Sequence, residues 1–130
     1  MKKRLLLFLA ALTLWGVFML AQDVPEGVVV AFKKGNAQGL KPCLSEQVDL
    51  LMDSRNVCNK REATLVKLTE FFAANKVQHF EVNHQGKRNE SSFVIGTLTT
   101  ANGQYRVNCF FRLLNDRYIV HQIRIDKTNE

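Results

Sequence analysis

The chain has 130 residues, with 18 Lys and Arg against 12 Asp and Glu and a formal charge of +6. No Lys/Arg-rich block accompanies the excess, which argues against nucleic acid as a partner, and the three cysteines show no CxxC or HxxxH spacing that would predict a metal or cofactor site. About 109 residues follow the first twenty-one, enough for a single domain but in the marginal size range.

Residues 1–21, MKKRLLLFLAALTLWGVFMLA, place Lys2, Lys3 and Arg4 before an uncharged run from Leu5 to Ala21. That is the order of a secretory signal, with cleavage expected after Ala21 and before the polar Gln22-Asp23. The alternative is a retained anchor, since the run is near the minimum of about 17 residues for a bilayer span. Cleavage predicts a periplasmic or secreted domain over 22–130 with no membrane span. Three of the 18 basic residues and none of the acidic ones lie in the signal, leaving 15 against 12 and a charge of +3.

Asp23 is placed to cap a helix with Pro25 in its first turn, Val28, Val29 and Phe32 as its apolar face, and a stop at Gly35. Asn36 opens a second, shorter helix that Gly39 and Pro42 weaken. In EQVDLLMD, Val48, Leu50 and Met52 alternate with Gln47, Asp49 and Leu51, the period of a half-buried strand. Asn59 and Glu62 have capping-box spacing ahead of KREATLVKLTEFFAAN, whose stripe is Leu65, Val66, Leu68, Phe71 and Phe72 and whose stop is Asn75. Beyond Lys76 the period is two, predicting strands over 77–85, 91–101, 104–114 and 117–127, joined by GKRNE, NG and ND. Helices followed by an antiparallel meander define an α+β domain whose helices cover one sheet face.

This order, with the strings AFKKGNAQGL, VDL, FFAANKVQHFEVNHQG, SSFVIGTLTTANGQYRV and YIVHQIRI, resembles a family of small exported bacterial domains without assigned function. That family lies within the nuclear transport factor 2-like, cystatin-like superfamily. The resemblance covers essentially the whole mature chain and implies an α-α-β-α-β-β-β-β cone of curved sheet around helices, often holding a pocket. Members include isomerase-like and dehydratase-like enzymes as well as binding and scaffolding domains, so the fold does not decide the function.

A tight Asn102-Gly103 turn pairs Leu98 with Val107, Gly96 with Cys109 and Val94 with Phe111 on the core face. A tight Asn115-Asp116 turn then gathers Phe93, Ile95, Phe110, Ile119, His121 and Ile123 on the outer face, more apolar surface than a free monomer exposes comfortably. A homodimer or partner interface there is one reading; a one-residue bulge that turns the last isoleucines into the core is the other. The same register puts Gln122 and Arg124 on the concave face with Tyr105 and His84, as candidate ligand-binding residues for an unidentified small molecule or envelope protein. Cys43 and Cys58 would close a loop of about 15 residues, worth roughly 3 kcal/mol if they pair.

No GxSxG, P-loop, HExxH or dinucleotide fingerprint is present, and no catalytic residue is assigned. The function expected is that of an exported, non-catalytic binding domain. The alternative is a small lyase or isomerase with His84 or Asp49 as base and Tyr105 or Arg124 polarising a carbonyl in the cone.

Overall fold

The structure, a computed structural model, describes residues 26–128. The expected signal segment and the expected Asp23 cap lie outside the described residues. Helix α1 (Glu26–Lys34) buries Val28, Ala31 and Phe32. It ends where the sequence predicts: Gly35 takes φ +62°, its N–H bonds to Phe32 O at 3.2 Å, and Asn36 N–H bonds to Ala31 O at 2.9 Å. This pair of bonds closes a helix through a left-handed residue, a conformation glycine adopts without steric cost. The weak second helix is a 3₁₀ segment, Ala37–Cys43, with Pro42 inside it.

Strand β1 (Leu44–Met52) is followed by a strand the sequence reading missed, β2 (Arg55–Cys58). Asp53 and Ser54 both take positive φ in the two-residue turn between them. Helix α2 (Arg61–Ala74) buries Thr64, Leu65, Leu68 and Phe72, whereas Val66, assigned to the apolar stripe, is 57% exposed. The expected Asn59–Glu62 box does not form, because the helix starts one residue later and its N-cap is Lys60, without a side-chain cap bond. Asn75 does terminate the helix, with both its backbone and its side-chain N–H on Phe71 O.

Strands β3 (Val77–Arg88), β4 (Ser91–Thr100), β5 (Gly103–Leu114) and β6 (Arg117–Lys127) form the predicted meander. The six strands make one sheet, ordered β2-β1-β6-β5-β4-β3, with β1 parallel to β6 and every other pair antiparallel. The helices pack on one face. There an aromatic chain runs from Phe80 to Phe32 (5.3 Å, stacked), Phe72 (5.9 Å), Phe71 (5.6 Å) and Tyr105 (5.0 Å). The sheet curls so far that Lys87 Nζ on β3 lies 5.6 Å from the Tyr118 ring on β6, three strands away. The concave interior is thus occupied by side chains, with Phe32, Leu40, Leu50, Leu68, Leu98 and Phe111 fully buried.

The β4–β5 hairpin turns one residue earlier than expected, with Ala101 and Asn102 at its tip. Leu98 therefore pairs with Tyr105, Gly96 with Val107 and Val94 with Cys109. Asn102 is drawn off by α2, donating to Ala74 O at 2.7 Å and to Asn75 Oδ1 at 3.1 Å. The register moves by two residues, and an even shift preserves the faces. Val94, Leu98, Val107 and Phe111 are all core, as predicted.

Candidate binding face

Two bulges decide which polar side chains look into the cone. In β6 the Asn115-Asp116 turn is tight as predicted and Phe111 pairs with Val120, but Phe110 pairs with Gln122, leaving His121 as the extra residue. Each later residue is inverted. Ile123 and Ile125 enter the core at 0% and 2% exposure, so Ile123 is not an outer-face residue. Gln122 and Arg124 move to the outer face and are not concave-face ligand groups. The driving force is burial: two isoleucines in the core gain roughly 1.5–3 kcal/mol each over exposed ones.

A second bulge, between Val82 and His84 in β3, pairs His84 with Ile95 on the outer face, where it is exposed rather than directed into the cone. Tyr105 does point inward. Its hydroxyl donates to Asn75 Oδ1 at 3.1 Å and its ring lies edge-on to Phe71, so it fastens the hairpin to the end of α2. Arg124 is engaged as well: Nε donates to Asp126 Oδ2 at 2.8 Å and Nη2 to Ser54 Oγ at 3.2 Å, while Ser54 N–H bonds Asp126 Oδ1 at 3.2 Å. This group ties the β1–β2 turn to β6. His84, Tyr105 and Arg124 do not converge, so they do not form the acid–base pocket that a lyase or isomerase reading needs.

Cys43, Cys58 and Cys109 are free thiols. Cys43 directly precedes β1, whereas Cys58 pairs with Leu50, six residues along that strand from Leu44. At about 3.3 Å per residue this separates them by roughly 20 Å, against a Cα separation below about 7 Å for a disulfide. The Cys43–Cys58 bond that the loop length allowed therefore does not form. Cys58 Sγ instead lies 3.4 Å from Thr64 Oγ1. Among the described residues no group of three or more His, Cys, Asp or Glu side chains is placed to hold a metal ion.

Phe93, Ile95, Phe110 and Ile119 do lie on the outer face, and each is half-buried. Phe93 pairs directly with Phe110, and the Phe93 ring crosses Gly86, where a Cβ would come within 2.6 Å of it. Ile119, paired with Arg112, is the diagonal neighbour of Phe110. No described helix covers these four.

Toward β1 the same face becomes polar. A cleft of about 270 Å³ is lined by Gln47, Asp49, Asn59, Lys60, Arg112 and His121. Burial pushes the His121 imidazole below its ordinary value; Arg112 adds to that shift and Asp49 opposes it. Of these residues the sequence suggested a functional role only for His121, as an interface residue, and Asp49, as a candidate base. The phase break in YIVHQIRI, where apolar positions step from Val120 to Ile123 by three instead of two, was the available signal for the bulge at His121.

Residues 25–126 match the family described as Domain of unknown function (DUF4783). A DUF4783 protein of Bacteroides fragilis YCH46 is 57% identical, its crystal structure covering 82% of this chain and 100% of its own with a TM-score of 0.78. One from Bacteroides uniformis ATCC 8492 is 52% identical over 83% of this chain and 100% of that one, with a TM-score of 0.79. More distant structures share the fold. An NTF-2 like protein of unknown function from Shewanella oneidensis MR-1 is 14% identical over 78% and 92% of the two chains (TM-score 0.59). A cystatin-like domain from Nostoc punctiforme PCC 73102 is 10% identical over 77% and 70% (TM-score 0.63). No curated protein matches the chain. With its α+β, NTF2-like architecture and a match across most of its length, the chain belongs to the DUF4783 family.

Proposed function

We propose that the protein is an exported, non-catalytic binding domain of the cell envelope that works through the outer face of its sheet rather than through an internal pocket. One observation carries this reading. The helices and the aromatic chain fill the concave side, while Phe93, Ile95, Phe110 and Ile119 form a contiguous apolar strip on the opposite side that no described helix covers. A contiguous, half-exposed apolar strip on a small domain marks an interaction site. A two-fold pairing of two identical strips is the simplest way to bury it, since such an interface needs only one self-complementary patch. The partner in this reading is a second copy of the chain. Export rests on the Lys2-Lys3-Arg4 and Leu5–Ala21 arrangement. N-terminal sequencing of the protein recovered from the periplasm or medium tests it: a start at Gln22 supports export, and an intact Met1 in the cytoplasmic fraction refutes it. Sedimentation of the processed chain tests the interface, a dimer supporting the reading and a monomer opposing it.

A further inference from the structure

The cleft at the β1 side of the outer face has a composition that the dimer reading does not use. Arg112 reaches it from β5, Gln47 and Asp49 from β1, His121 from the β6 bulge, and Asn59 and Lys60 from the segment before α2. Among the described residues none of these six side chains makes a hydrogen bond or an ion pair. The contrast with Arg124 is direct, because that guanidinium bonds both Asp126 and Ser54. Cationic, anionic and amide groups drawn from four segments thus face one concavity with their hydrogen-bonding capacity open. A bulge is also a recurrent device for re-aiming a side chain at a site, and here the extra residue is His121.

We propose that this cleft binds a small hydroxylated monoanion, its acid group held by Arg112 and Lys60 and its hydroxyls by Asp49, Gln47 and Asn59. Charge selects the acid. Two fixed cations against the Asp49 carboxylate leave one positive charge, which a monoanion neutralises, and a guanidinium meets a carboxylate through two parallel N–H···O bonds. Asp49 selects the hydroxyls, because an ionised carboxylate only accepts hydrogen bonds and repels a second acid group. The two amides offer both donors and acceptors, which suits hydroxyls that do the same. At about 270 Å³ the cleft lies below the range typical of drug-sized ligands, so the molecule is small.

The test uses three probes on the isotopically labelled, processed chain: glucuronate, which carries both chemistries, glucose, with hydroxyls only, and acetate, with the acid only. Amide and imidazole shifts at Asp49, Lys60, Arg112 and His121 are followed in each titration. Glucuronate is expected to give saturable shifts at these positions, with an affinity about tenfold or more above either partial probe. Arg112→Gln and Lys60→Gln each weaken it by about tenfold while the rest of the spectrum keeps its dispersion. Two variants at exposed positions guard against loss of fold in either one. The proposal is overturned if glucuronate gives no saturable shift, if acetate alone binds as well, or if both variants bind glucuronate unchanged. Sedimentation of the same samples separates this result from the dimer reading, which none of these outcomes decides.

Discussion

Cys109 on β5 stands directly opposite Ile123 on β6, and the two are 1% and 0% exposed. Without the bulge at His121, Gln122 would occupy the place of Ile123, and a polar amide would be forced into an aromatic and aliphatic core. Replacing Ile123 by Ala is expected to cost about 2–5 kcal/mol, the range for a truncated core isoleucine. Ile119→Ala, on the other side of the bulge and half-buried on the outer face, is expected to cost under about 1 kcal/mol. Urea unfolding of the two variants checks this. Equal losses would mean that the last strand does not change face between them.

Burial pushes the Cys109 thiol up to about 12, so the thiolate that reacts with alkylating reagents is absent near neutrality. Cys43 is also raised by burial, though Arg117 opposes the shift. Native protein treated with a maleimide at pH 8 is expected to leave Cys109 unmodified, and mass spectrometry locates the label. Oxidation without denaturant is expected to give no intramolecular Cys43–Cys58 bond. Recovery of that peptide pair would contradict the roughly 20 Å separation set by the strand rise along β1.

His121 is half-buried beside Arg112, Lys60 and Asp49, and its imidazole is held below the ordinary value of 6.5. Below 6.5 the unfolded chain binds this proton more readily than the folded one, so stability falls as pH drops from 6.5 through the folded value. Above 6.5 both forms are neutral and the contribution is constant. An NMR titration of the imidazole is expected to give a midpoint below 6.5. His121→Gln is expected to flatten the acid limb of the stability curve in that window, and an unchanged limb would assign the slope to other groups.

Arg124 is expected to act in stability and not in ligand binding. Its pair with Asp126 is 40% and 29% exposed, so solvent screening limits what Arg124→Ala costs to about 1 kcal/mol in urea unfolding. The same variant is expected to leave glucuronate binding at the Arg112 cleft unchanged. A tenfold loss there would place Arg124 in the ligand site after all.

Local chemistry made most of the architecture legible. Gly35 and Asn75 end their helices where stops were expected, the one through a left-handed conformation and the other through a side-chain bond, and the Asn115-Asp116 turn is tight. Long-range competition hid the rest. Asn102 was read as the start of an Asn-Gly turn, but the end of α2 takes its side chain and moves the register by two. The face assignments survived only because that shift is even. The bulges in β3 and β6 are odd shifts, and they reverse His84, Gln122, Arg124 and Ile123. The cleft was missed because Arg112, Lys60 and Asn59 meet only once β1 lies parallel beside β6, a pairing that no local pattern announces.

Whether the outer strip pairs two copies of the chain is decided by sedimentation equilibrium of residues 22–130. Phe110→Asp introduces a charge on the strip, and Val66→Asp introduces the same charge at an exposed α2 position away from it. The wild type and Val66→Asp are expected to be dimers at tens of micromolar, and Phe110→Asp a folded monomer. A wild-type monomer throughout that range, or a Phe110→Asp chain that still sediments as a dimer, would contradict that pairing.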